Sequence, residues 1–256
     1  MNHATLAGSN SSPNTLTLVG VGPGEPSLIT LAAVQEIKSA TVVAYPVAKE
    51  GAVGIAATIA SQWINENQKR LPLVFPMVCE SAPKKKAWRL ASDLLVREVE
   101  NGERVVLLCQ GDVSLFATGS YVLLDLKDRH PECMVNVIPG INSISAAAAN
   151  GLWPLVFQQD QLLILPTPDQ LVDLEELLDE AASFRRVLAL LKLGDRWEWV
   201  RPLLERKGLL DRALFAKNLG LSDQQVVPAA NASSGSQPYF SLLLIRQSWP
   251  DVMPWN

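Results

Sequence analysis

Leu18-Val-Gly-Val-Gly-Pro-Gly24, Val105-Val-Leu-Leu-Cys-Gln-Gly-Asp112 and Val135-Asn-Val-Ile-Pro-Gly-Ile-Asn-Ser143 decide the fold. In each, a run of apolar residues gives way to glycine. A buried strand that ends in glycine and opens a helix lets backbone come close to a ligand, because no side chain blocks the approach. Three such turns in one stretch of chain imply one shared pocket.

The first turn fails the dinucleotide fingerprint G-x-G-x-x-G. Counted from Gly20 the last position falls on Glu25, and counted from Gly22 it falls on Ser27. Pro23 removes a backbone donor, and Glu25 puts negative charge where a pyrophosphate would meet the helix N-terminus. A ligand of net positive or zero charge with an apolar body suits this loop better than a phosphate.

Around these turns the chain alternates β-rich runs with amphipathic stretches, the pattern of a parallel sheet covered by helices. Strands are predicted at 16–21, 41–45, 71–75, 104–109 and 135–138. Leu28, Leu31, Val34 and Ile37 recur every three residues and read as a helix whose first turn holds Pro26. Trp88, Ala91, Leu95 and Val99 mark the helix before the fourth strand. The pattern breaks at Asn150-Gly-Leu-Trp-Pro154. Beyond it, strands at 161–165, 187–191, 212–215 and 239–245 alternate with helices at 171–182 and 197–207, and 229–238 reads as a connection. The expected domains are an N-terminal α/β domain over 15–150 and a C-terminal α/β domain over 151–256, preceded by a disordered tail at 1–14.

Composition narrows the class. With 48% hydrophobic residues the 256-residue chain can bury a sizeable core. A net charge of −4 argues against a general nucleic-acid binder. Cys79, Cys109 and Cys133 lack metal-ligand spacing, so they read as reduced thiols and no metal site is expected. The N-terminal residues lack the basic and apolar regions of a signal peptide, and no apolar run reaches bilayer-spanning length. A soluble, cytoplasmic protein without a membrane partner is expected.

Gly22-Pro-Gly24 with Glu25-Pro-Ser-Leu-Ile-Thr-Leu31, then Thr41-Val-Val-Ala-Tyr-Pro46, Gln110-Gly-Asp112 and Pro139-Gly-Ile141, resembles the tetrapyrrole methylases in order and spacing over residues 15–246. The resemblance implies two α/β domains with the ligand cleft between them, the first domain a mostly parallel sheet covered by helices. It is greatest to the branch that methylates C20, a meso carbon, of precorrin-2 or its cobalt form in cobalamin biosynthesis. The implied cofactor is S-adenosyl-L-methionine, the partner a tetrapyrrole substrate, and the assembly a homodimer. Trp153 and Trp249, near domain edges, fit surface that needs a partner.

Carried over residue by residue, the resemblance implies that Pro23, Gly111, Asp112, Leu115, Asn142, Ser143 and Leu191 contact the methyl donor, with Lys192 beside the last. Asp112 reads equally as the N-cap of a helix over 115–126. Gln110 stands where the branch often has Glu, and Val113 where the wider family has Pro. A polycarboxylate substrate calls for cations. Lys84, Lys85, Lys86 and Arg89 form the densest basic cluster, which also reads as a solvated helix start. Tyr45 and Lys49, at the end of the second strand, complete the substrate-binding expectation. No general base is singled out, since His3 lies in the tail and His130 reads as a turn residue. Uroporphyrinogen methyltransferase is the nearest alternative, although that group resembles Gly-Gly-Asp-Pro where this chain has Gln-Gly-Asp-Val. Diphthine synthase, a ribosomal-RNA methylase and a non-catalytic tetrapyrrole carrier are the others.

Overall fold

Residues 15–78 and 80–249 are described by the structure, a computed structural model. The tail expected at 1–14, with His3, and Cys79 lie outside the described residues. The chain divides between Ile141 and Asn142 into two compact units.

In unit 1 the chain runs β1 (Leu16–Gly20), α1 (Leu31–Ser39), β2 (Val42–Val47), α2 (Ile55–Ile59), β3 (Lys69–Val74), α3 (Ser81–Glu100), β4 (Val105–Cys109), α4 (Thr118–Arg129) and β5 (Val135–Ile138). The strands form one sheet in the order β3-β2-β4-β1-β5, with every pairing parallel. Side chains of one strand alternate between two apolar layers. Leu16, Leu18, Val105 and Leu107 face Leu95, Val99, Val122 and Leu126 of α3 and α4. Val19, Val106 and Leu108 face Ile37 of α1 and Ile59 of α2. Burial on both faces explains why β1 and β4 read as unbroken apolar runs.

The reading of α1 needs correction. Pro26 opens a separate one-turn 3-10 helix at Pro26–Leu28, and α1 starts only after Thr30, whose hydroxyl caps the Ala33 N–H at 3.1 Å. Leu31 is 82% exposed while Ala33 and Ile37 are buried. A repeat of three cannot stay on one face of a helix with 3.6 residues per turn. The α3 stripe of Ala91, Leu95 and Val99, spaced close to that period, is buried as expected.

Unit 2 comprises α5 (Ser143–Asn150), β6 (Gln161–Pro166), α6 (Leu171–Ser183), β7 (Arg186–Leu191), α7 (Trp197–Arg206), β8 (Ala213–Lys217), β9 (Gln225–Pro228) and β10 (Ser241–Ile245). Its sheet, in the order β6-β7-β10-β8-β9, is mixed: β6 and β7 are parallel, and β10 runs antiparallel to β7 and β8. Trp197 and Phe215 anchor the core, fully buried with ring centroids 5.0 Å apart, and the Trp197 indole N–H donates to the Ser233 carbonyl at 2.9 Å. α5 packs on β10, which places it in unit 2, so the compact units part upstream of the turn at Asn150. The edge strand β9 gave no signal in sequence because it is short, half-buried and ends in proline.

Candidate functional site

At the carboxyl ends of β4, β1 and β5, three neighbours in the sheet, the glycine turns lock together. Gly22 and Gly111 form an antiparallel bridge: the Gly22 N–H donates to the Gly111 carbonyl at 3.2 Å, and the Gly111 N–H to the Gly22 carbonyl at 2.7 Å. A Cβ on Gly20 would lie 2.5 Å from the Gly140 nitrogen, and one on Gly140 would lie 2.2 Å from the Gly111 carbonyl oxygen. Backbone fills the space a side chain would need, so only glycine permits this approach. Gly111 itself has φ +71° and nothing within 4 Å of its Cβ position. The junction is closed inside and open beside Gly111.

Asp112 fastens the third turn to the second. Its Oδ2 accepts from the Gly140 N–H at 2.9 Å, while Oδ1 accepts from the Ser114 N–H at 2.8 Å and from the Ser114 hydroxyl. Burial pushes its carboxyl up, but hydrogen bonds from Ser114, Gly140 and Val113 outweigh that and hold it below the ordinary carboxylate value. The side chain stays anionic at neutral pH. Asp112 does not cap α4: the helix starts at Thr118 behind Ala117, and the expected start at Leu115 is a bend in the chain. The cause is Phe116, whose left-handed backbone, φ +52°, stops helix from reaching back to Asp112.

Gln110 ties the second turn to the first, its Nε2 donating to the Pro23 carbonyl at 3.4 Å. A glutamate could not donate there. Cys109 is buried beneath these turns, and burial pushes its thiol up to about 12. It is a packed apolar group, not a nucleophile.

Other expected residues fall in varied settings. Pro23 is buried and Leu115 half-buried. Tyr45 is half-buried against Gly54, where a Cβ would come within 2.5 Å of its ring. Lys49 lies on an exposed turn and accepts the Ala52 N–H through its carbonyl. Lys84, Lys85, Lys86 and Arg89 occupy the first part of α3, which begins at the carboxyl-end side of the parallel sheet; Lys84 is half-buried and the other three are exposed. Trp88, between them, stacks on Tyr121 of α4 with centroids 4.2 Å apart. His130 is the C-cap of α4, with Nε2 3.1 Å from Asp93.

In unit 2, Asn142 caps α5, its side-chain oxygen accepting the Ser145 N–H at 2.9 Å; Ser143 is the first residue of that helix. Leu191 is buried, and its carbonyl accepts from both the N–H and the hydroxyl of Thr167. Lys192 follows in left-handed backbone, φ +60°. Trp153 and Trp249 lie against Arg246 within unit 2, and Trp249 remains 40% exposed. Among the described residues no group of three or more His, Cys, Asp or Glu could hold a metal ion, and no helix is long and apolar enough to cross a membrane.

The family model of the Tetrapyrrole (Corrin/Porphyrin) Methylases matches residues 15–233. The chain is 32% identical over 243 residues to a cobalamin biosynthesis protein CobIJ of Mycobacterium tuberculosis, covering 92% of this chain and 46% of that protein, so it spans about half the length of that relative. It is 28% identical over 236 residues to a cobalt-precorrin-2 C(20)-methyltransferase of Salmonella typhimurium, covering 91% of this chain and 97% of the relative. Among solved structures, uroporphyrin-III C-methyl transferase from Thermus thermophilus complexed with S-adenyl homocysteine shares the fold with a TM-score of 0.58 at 22% identity, over 91% of this chain and 92% of the other.

Proposed function

Because the chain belongs to the tetrapyrrole (corrin/porphyrin) methylases, we propose that it transfers a methyl group from S-adenosylmethionine to C20 of precorrin-2 or cobalt-precorrin-2. The observation that carries this reading is the glycine junction at the ends of β1, β4 and β5. It offers an open face at Gly111 next to a carboxylate kept anionic by its hydrogen bonds. A cationic, apolar-bodied donor fits that chemistry; the S-adenyl homocysteine bound by the Thermus protein supports the choice of donor, and the name of the Salmonella relative supports the choice of carbon.

The donor supplies an already activated sulfonium methyl. The protein's part is to align donor and acceptor carbon and exclude water, which can contribute roughly 7–11 kcal/mol of barrier lowering without a covalent intermediate. Gly111 and Asp112 present the donor's polar end with a close, charged surface. Pro23, Leu115, Asn142, Ser143 and Leu191 complete the donor contacts in this reading, and Tyr45, Lys49, Lys84 and Arg89 meet the substrate. A homodimeric, cytoplasmic enzyme is part of the same proposal.

The test is incubation with methyl-labelled S-adenosylmethionine and, in parallel, precorrin-2 and its cobalt form. One labelled methyl per macrocycle, located at C20 by NMR, is the expected result. Transfer to uroporphyrinogen instead, or donor binding without transfer to any tetrapyrrole, overturns the assignment.

A further inference from the structure

At the amino ends of β2, β3 and β4, the side of the unit 1 sheet opposite the glycine junction, separate segments of chain are tied into one rim. The Thr41 hydroxyl accepts the Arg104 N–H at 2.9 Å and donates to the Arg104 carbonyl at 3.2 Å, and the Thr41 carbonyl accepts the Lys69 N–H at 2.9 Å. Gln68, 8% exposed, completes the rim. Its Nε2 donates to the Ile37 and Ala40 carbonyls at the end of α1, each at 2.6 Å, and its Oε1 accepts the Asn65 N–H at 2.7 Å. Carbonyls at a helix C-terminus form the negative end of its dipole, and here Gln68 satisfies them from within.

The rim borders a cavity of about 540 Å³, a size within the roughly 300–1,000 Å³ of small-molecule sites. Lys38 and Arg104 line it against a single carboxylate, Glu66, and the side-chain amides of Asn65 and Asn67 stand beside them. Among the described residues, no protein group hydrogen-bonds or ion-pairs with any of these side chains. The segments are fixed and their polar ends are left over. Two cations match an oxyanion, Arg through paired N–H groups and Lys as a point charge. Amides and a carboxylate match hydroxyl groups, which both donate and accept. The lining's one apolar residue is Ala40, so the cavity has no face for an aromatic ring, and neither adenine nor a tetrapyrrole suits it.

We propose that this cavity is a binding site separate from the glycine junction and takes a hydroxyl-bearing phosphate monoester: Lys38 and Arg104 receive the phosphate, and Asn65, Glu66 and Asn67 take the hydroxyls. Strand β4 then carries a site at each end, with Arg104 just before it and Gly111 just after it. The assignment does not depend on the methyltransferase reading, because neither the donor nor a tetrapyrrole enters it.

The experiment follows the amide NMR signals of the isotope-labelled full chain during titration with glucose-6-phosphate, a probe of a size the cavity admits. Inorganic phosphate and glucose are titrated in parallel. Two charge-assisted contacts predict saturation by the ester at a dissociation constant of about 1 mM, with the shifts gathered at Asn65, Asn67, Gln68 and Arg104. Lys38→Gln and Arg104→Gln should each weaken the ester about 10-fold, and Arg104→Lys should recover part of that loss. Asn67→Ala should weaken the ester and leave inorganic phosphate, the weaker ligand, unchanged. Glucose alone should not saturate. The spectrum of each variant reports directly on its fold. No saturable shift at these residues in the parent, or parental affinity in both Lys38→Gln and Arg104→Gln, overturns the site. Inorganic phosphate binding as tightly as the ester overturns the assignment to a hydroxyl-bearing ligand.

Discussion

The glycine turns of unit 1 and the Arg246 cluster of unit 2 both fasten segments that are distant in the chain, yet they leave opposite surfaces. In unit 1 the fastening is backbone on backbone around Gly20, Gly111 and Gly140, with Asp112 as its one charged clamp. In unit 2 the Arg246 guanidinium does the work. It donates to Asp160 Oδ2 and to the Leu155 carbonyl, each at 2.6 Å, and lies 4.8–5.9 Å from the ring centroids of Trp249, Phe157 and Trp153. Arg246 and Asp160 side chains are 2% and 1% exposed. A clamp made of side chains fills its own space with the groups that fasten it. A clamp made of glycine leaves main chain and one carboxylate at the surface, and that contrast separates a binding site from a rivet.

The largest expected effect breaks the rivet. Asp160→Ala leaves a buried guanidinium without its anion and should cost about 3–5 kcal/mol of stability, read as a fall in denaturant midpoint. Affinity for S-adenosylhomocysteine in the molecules that stay folded should not change. A loss of affinity as large as the loss of stability would mean that the two fastenings are not separate in function.

Gly140→Ala attacks the other side. The added carbon would meet the Gly111 carbonyl at 2.2 Å, and overpacking of this kind costs about 1–3 kcal/mol. Here affinity for S-adenosylhomocysteine should collapse well beyond what lost stability explains. Calorimetry showing parental affinity would remove the junction from the donor site.

Asp112→Ala should weaken the same affinity about 10-fold, one charge-assisted contact, with only a modest stability loss from the freed Gly140 N–H. Asp112→Asn keeps an acceptor for that N–H and loses the charge. If Asn restores affinity fully, Asp112 acts only as a clamp.

The smallest effect is on acid stability. The Asp112 carboxyl is held below its ordinary value, so its contribution is complete above the unfolded value of about 4 and is lost as pH falls through the folded value. Melting temperatures of parent and Asp112→Asn should therefore converge as the pH drops below about 4. Curves that stay parallel would show that the hydrogen bonds to Asp112 do not favour its anion.

Much of this was legible in the chain. The three glycine segments, the apolar strands β1, β4 and β7 and the helix stripe of α3 were readable because each signal is local: a run of residues buried on both faces, a helical period, or a residue without a Cβ. The stripe at Leu28 to Ile37 misled because a spacing of three resembles the helical repeat without matching it. Asp112 misled because a cap and a cross-loop clamp use the same residue type.

What sequence determined by itself is the two-part α/β plan, the glycine turns and, through their order, the family. Only the tertiary structure decided which glycines are indispensable, since that depends on what backbone lies opposite each missing Cβ. It alone showed Gln110 reaching Pro23 and Asp112 reaching Gly140 across 28 positions. It alone gave Trp153 and Trp249 to Arg246 and held Lys192 in a strained turn beneath Tyr239. Such pairings join residues far apart in the chain, and no periodicity encodes them, because they exist only once the sheet has set its strands side by side.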